Sequence, residues 1–163
     1  MSVNKERPHL LVIPEDDANR QMIEGFRNHL SIDPRKVHVE KVAGGWIKAL
    51  ETFRDSHLTA MRKYEGRHVL ILIDSDEVAN RLAKAREEYV PGELADRVFI
   101  MGSFKDPEKL AVALRLSKEA AGGALAESCV SGSAAPWEHE LLSHNLGELG
   151  RMKAGICGDL LVK

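Results

Sequence analysis

The chain has 163 residues, of which 44% are hydrophobic and 29% charged. That length and mix suit a single globular domain and exclude a disordered or collagen-like chain. Lys and Arg total 23 against 25 Asp and Glu, a net charge of -2. Bulk electrostatic attraction to nucleic acid is therefore not expected, although a local basic patch is compatible with it. No apolar run approaches the ~20 residues of a membrane span. Residues 1–8 are polar and lack the apolar core of a signal peptide, so no membrane association is expected. Cys129 and Cys157 are too few for a disulfide framework and lack metal-site spacing. A cytoplasmic protein with reduced thiols is the expectation.

Short apolar runs alternate with longer amphipathic stretches. Residues 9–13 (HLLVI) predict a buried strand ending at Pro14 and a group of acids. Residues 17–30 predict a helix, with Met22, Ile23, Phe26 and Leu30 at helical spacing and Asp16 or Asp17 as its cap. Residues 37–42 alternate apolar and polar, as expected of a strand nearer the sheet edge. Gly44 and Gly45 break it, and residues 46–64 predict a second helix.

Residues 69–73 (VLILI) are the strongest strand signal. A continuous β-branched and Leu run indicates burial on both faces, as in a parallel sheet. A helix is predicted over 78–89, a turn at Pro91 and Gly92, and a fourth strand over 97–101. Another helix is expected from Pro107 to about Ala121, ended or kinked by Gly122 and Gly123. Residues 131–136 read as a loop, 137–152 as one helix, and 156–162 as a tail or late strand. Strand and helix thus alternate four times. The expected fold is α/β: a Rossmann-like three-layer domain with a four-stranded, mainly parallel sheet and a C-terminal helical extension.

In open α/β sheets the functional crevice lies at the carboxyl ends of the strands. Strand one ends at Glu15, Asp16 and Asp17, and strand three at Asp74, Ser75, Asp76 and Glu77. If those strands are neighbours, the acids converge, and converging carboxylates are costly unless a cation neutralises them. Mg²⁺, a hard ion that takes carboxylates, water and phosphate oxygens, suits such a place, with Mn²⁺ as an alternative.

An apolar strand closing on Glu, then a helix, then an apolar strand closing on D-x-D resembles the Toprim domain. That domain occurs in topoisomerases, primases, small RNA-maturing nucleases and overcoming-lysogenization-defect nucleases. The matching residues are Glu15 in VIPEDD and Asp74 with Asp76 in LIDSDE, and the likeness spans about residues 3–121. Asp16 stands where the family usually has Gly, and Glu77 where a Gly often follows the D-x-D. The resemblance implies Glu15 in general acid/base work and Asp74 and Asp76 as Mg²⁺ ligands. Asp16, Asp17 and Glu77 would be auxiliary acids. The implied chemistry is phosphodiester cleavage or transfer on nucleic acid, within a larger system or with a partner protein or second copy.

EDDANR at residues 15–20 also resembles the start of a response-regulator receiver, in which Asp74 would be the phosphorylated residue and Ser103 would follow strand four. A receiver requires a Lys after a fifth strand, and none is predicted. A receiver-like or catalytically degenerate Toprim module acting in protein–protein interaction is the alternative reading.

Ser103 and Lys105, after strand four on the same edge, are candidates for phosphate contact, with a loop hydroxyl or cap as the plain alternative. Gly44, Gly45 and Trp46 form either a phosphate approach or a tight turn with a packing Trp; no Lys or Ser/Thr completes a P-loop. His139 and His144 lie five apart, a poor spacing for a shared metal on a helix. Arg20, Arg81, Lys84 and Arg86 offset the acids, steer phosphates, or are solvated surface.

Overall fold

The computed structural model describes residues 3–132 and 137–163. Strand β1 (His9–Pro14) is buried along its whole length. Helix α1 (Asp17–Arg27) follows, capped by Asp16, whose carboxylate accepts the Asn19 N–H at 2.9 Å. A 3-10 turn at Pro34–Lys36 leads into β2 (Val37–Val39), shorter than the expected 37–42. The reason is local: Lys41 and Val42 bow out to solvent, and the chain rejoins β1 through Ala43 N–H to Pro14 C=O at 2.9 Å.

Helices α2 (Trp46–Thr52) and α3 (Leu58–Lys63) are joined by a π-helical turn, Phe53–His57, so the stretch expected as one helix is continuous with one wide turn. Strand β3 (Arg67–Leu72) precedes α4 (Arg81–Tyr89). A 3-10 turn at Gly92–Arg97 introduces β4 (Val98–Met101).

The expected helix from 107 to about 121 is two helices. Helix α5 (Pro107–Leu114) ends where Arg115 turns left-handed at φ 54. Ser117 then caps α6 (Lys118–Ser131), accepting the Ala120 N–H at 3.0 Å. Gly122 and Gly123 lie inside α6 and neither end nor kink it. A Cβ on Gly122 would stand 1.7 Å from the Met22 carbonyl oxygen, so this glycine lets α6 lie directly on the α1 backbone. Of the expected loop 131–136, Ser131 closes α6 and Gly132 caps it, while 133–136 lie outside the described residues.

The expected helix 137–152 is also revised. Helix α7 covers only Leu146–Met152, after a 3-10 turn at Ser143–Asn145. Upstream, the Leu141 C=O is spent on the Phe104 N–H at 2.9 Å. The chain then runs through a π-helical turn, Lys153–Cys157, into α8 (Gly158–Leu160). Instead of a late strand, Leu161 makes a single antiparallel bridge with Ile32.

The sheet is parallel throughout, in the order β2-β1-β3-β4. Strand alternation divides its side chains between two cores. Leu10, Val12, Leu70, Leu72, Phe99 and Met101 pack under α1, α6 and the C-terminal segment. Leu11, Ile13, Val69, Ile71, Val98 and Ile100 pack under α2, α3 and α4. The result is the three-layer α/β arrangement read from the strand–helix alternation.

The expectation of reduced thiols is corrected: Cys129 on α6 and Cys157 beside α8 form a disulfide, 28 residues apart. Their pairing depends on α6 and the C-terminal segment packing side by side, which two isolated cysteines in a sequence do not announce. Among the described residues, no helix is long and apolar enough to cross a membrane.

Candidate functional site

Strands β1 and β3 are neighbours in register, with Pro14 opposite Leu72. The chain ends that leave them therefore emerge side by side, and the Glu15 N–H still bonds to the Leu72 C=O at 2.9 Å. This adjacency brings Glu15, Asp16 and Asp74 together. Glu15 Oε2 accepts the Asp74 N–H at 2.8 Å. Asn19 Nδ2 reaches both other acids, donating to Asp16 Oδ1 at 3.0 Å and to Asp74 Oδ1 at 3.4 Å.

Asp74 is only 4% exposed. Burial first, then the charges of Glu15 and Asp16, push its carboxyl up to about 8, while the Asn19 hydrogen bond pulls the other way. Glu15 is also raised, chiefly by burial and with the Asp16 and Asp76 charges adding, against the Asp74 N–H bond and Arg81. The site therefore holds a carboxyl that carries a proton near neutral pH. That is the electrostatic state of an acidic cluster short of positive charge.

Asp76 lies at the rim. Its Oδ2 accepts from Arg81 at 2.7 Å, and the same guanidinium donates to the Asp74 C=O at 3.2 Å and lies 4.6 Å above the Trp46 ring. Asp76 and Glu77 both have left-handed backbone, at φ 46 and 63. Two successive non-glycine residues in that region are strained, and such strain gathers at functional sites. Hydrogen bonds hold the turn: Glu77 N–H to Phe104 C=O at 2.7 Å and Val78 N–H to Ser75 C=O at 2.8 Å.

The remaining sequence candidates divide. Asp17 faces outward on α1, where Arg20 first, and then Gln21, hold its carboxyl below the usual range. Glu77 is exposed and pairs with Lys105 Nζ at 3.4 Å. Ser103 is buried; its hydroxyl donates to the Lys105 C=O, and its own C=O takes both the Ser75 N–H and hydroxyl at 3.1 Å. Ser103 thus braces the D-x-D turn, and Lys105 is the half-exposed cation at this edge. Gly44 and Gly45, at φ 88 and 152, form the turn before α2, and Trp46 packs against the α2–α4 core.

His139 and His144 do not meet on a shared ligand. The His139 Nδ1 accepts the Leu141 N–H at 3.1 Å, and His144 Nε2 contacts the Gly102 C=O at 2.7 Å. Asn145 grips the same glycine from both sides, taking its N–H at 3.1 Å and donating to its C=O at 2.9 Å. A Cβ on Gly102 would stand 1.6 Å from the Ile73 carbonyl oxygen, so only glycine lets β4 end this close to the D-x-D strand.

Two contributors lacked a strong sequence signal. Asn19 had a weak one, standing three residues after the capping Asp16. Asn145 had none, because its partner lies 43 residues earlier.

Among the described residues, no three His, Cys, Asp or Glu side chains form a ready-made metal cage. Arg81 takes an Asp76 oxygen, and the Asp74 N–H takes one from Glu15. The carboxylate oxygens that remain, those of Asp74 buried, are hard donors of the kind a divalent ion takes.

The class defined by fold and site is a Rossmann-like α/β domain with a cluster of acids at the carboxyl ends of its two central strands. No family model, curated protein or solved structure matches the chain. No fifth strand with a following Lys, as a receiver requires, occurs among the described residues.

Proposed function

We propose that the chain is a Toprim-like module for Mg²⁺-dependent cleavage or transfer of nucleic-acid phosphodiesters, working as part of a larger system. One observation carries this reading: Asp74, almost wholly buried, stands between Glu15 and Asp16 at the ends of adjacent parallel strands. Such an arrangement is costly in isolation and favourable around a cation. Asp74 and Asp76 would hold Mg²⁺, or Mn²⁺, with Asp16 beside them. Bound there, the ion would supply charge to offset a phosphate's developing negative charge.

The chain's own residues have separable tasks. Glu15, its carboxyl raised above the ordinary carboxylate range chiefly by burial, would be the group that exchanges protons. Asn19 orients Asp16 and Asp74. Arg81 offsets the acids and holds Asp76. Lys105, paired with Glu77 at 3.4 Å, would meet a phosphate at the same edge. Asp17 and Glu77, facing solvent, would act through charge alone.

A partner protein or a second copy would supply most of the grip on nucleic acid, since the chain carries no basic excess. Cytoplasmic action beside nucleic acid goes with this reading, and the Cys129–Cys157 bond is the feature that weighs the other way.

The test is calorimetric titration of Mg²⁺ and Mn²⁺ into the wild type and into an Asp74→Ala/Asp76→Ala double variant. Binding by the wild type alone is expected, followed by metal-dependent cleavage in a screen of single- and double-stranded DNA and RNA. No binding at millimolar metal would sink the catalytic reading and leave a protein-binding module.

A further inference from the structure

Asn19 is fully buried, and its amide is oriented without ambiguity. Its Nδ2 faces Asp16 and Asp74, because a reversed amide would set its oxygen against the Asp16 carboxylate oxygen at 3.0 Å. Its Oδ1 therefore points away from the acids, and there it has no hydrogen-bond partner. The Trp137 side chain, 5% exposed, has the complementary defect: its indole N–H donates to nothing. An indole nitrogen can only donate, and an amide oxygen can only accept.

Both side chains line the same cavity of about 10 Å³, which also touches Ser103, Met22, Leu72 and Leu125. That is the room one water needs, and it is too small for any larger ligand.

We propose that this cavity is a single-water site joining Trp137 to Asn19. The water accepts the Trp137 indole N–H and donates to Asn19 Oδ1. Its second proton goes to Ser103 Oγ, which keeps a free lone pair while its own proton serves the Lys105 C=O. All three polar groups are then satisfied, as buried polar groups regularly are. Trp137, in the C-terminal segment, becomes a positioning residue: through the water it holds the amide that faces Asp16 and Asp74. This consequence for the metal rests on the function proposed above; the water site itself does not.

The test is water-exchange NMR on the full chain. Of its two tryptophans, only Trp137 should show an indole N–H cross-peak to a long-lived internal water, with Trp46 as the internal comparison. Absence of that cross-peak overturns the site. Trp137→Phe should lower the oxygen-17 relaxation dispersion amplitude by one water; an unchanged amplitude also overturns it. The same variant should weaken Mg²⁺ binding about tenfold, at the low end for outer-shell partners, while remaining folded. Unchanged affinity with the water lost would overturn the positioning role. If the variant does not fold, the wild-type cross-peak decides. If the wild type binds no Mg²⁺, the proposed function fails, and the water site still stands or falls on the cross-peak.

Discussion

The main-chain N–H of Asp74 donates to Glu15 Oε2 at 2.8 Å, across the boundary between β3 and β1. This bond ties the acid proposed for proton transfer to the backbone of the acid proposed as a metal ligand. It also spends one Glu15 oxygen, so Glu15 cannot move without loosening the D-x-D turn. The energetics of the cluster follow from burying these groups together.

The first expectation concerns pH and stability. Asp74 has its carboxyl raised from an ordinary 3.8 to about 8 in the folded chain. The folded state therefore keeps a proton that the unfolded state releases. Its contribution is fully present below about pH 4 and is lost as pH rises toward 8. Asp74→Asn keeps the shape and removes the charge. It should match the wild type near pH 4 and exceed its stability at pH 8, by several kcal/mol. Urea denaturation at pH 4, 6 and 8 checks this, and a difference that does not vary with pH would count against it.

Metal binding should show the same proton. With Asp74 as the proposed ligand, Mg²⁺ affinity should rise with pH below about 8, up to tenfold per unit, and level off above. Calorimetry in buffers of different ionisation enthalpy should count close to one proton released. A pH-independent affinity would mean that Asp74 is not a ligand.

Arg81 is the cation that already occupies the rim of the site, 2.7 Å from Asp76. Arg81→Gln removes this competitor and should tighten Mg²⁺ binding by about threefold to tenfold, a modest effect because Asp76 is half exposed. Weaker binding would show instead that Arg81 holds the turn in its metal-competent form.

Adjacent glycines in α6 should respond in opposite directions. Gly122→Ala drives a methyl into the Met22 carbonyl and should cost about 2–4 kcal/mol by forcing α6 off α1. At Gly123 nothing lies within 4 Å of an added Cβ, and Ala there should stabilise by about 0.5–1 kcal/mol through helix propensity. Thermal melts of the two variants test the contrast. Equal effects would disprove the backbone-to-backbone packing.

The Cys129–Cys157 bond closes a loop of 28 residues. On the chain-entropy account, such a loop contributes about 3–4 kcal/mol. Reduction should therefore lower the melting temperature by roughly 10 °C. Thiol titration should find no free cysteine before reduction and two after it.

Much of the architecture was legible from local patterns. VLILI and HLLVI announce strands buried on both faces, and the amphipathic spacing of Met22, Ile23 and Phe26 announces α1. The acids after β1 and β3 were legible too, because each lies next to a strong strand. The helix breaks were harder. Arg115 ends α5 in a left-handed conformation with no glycine to mark it, and Gly122 serves packing inside α6.

Amino-acid order alone thus set the alternation of strands and helices and the acids at the strand ends, since both depend on residues a few positions apart. The tertiary structure decided that β1 and β3 are neighbours, which makes Asp74 share its surroundings with Glu15 and Asp16 while Asp17 faces solvent. It also placed Asn19 between two acids, Asn145 on Gly102 and Cys129 on Cys157. These pairings join residues that are distant in sequence, and their energy comes from burial and hydrogen bonds that exist only once the layers have packed.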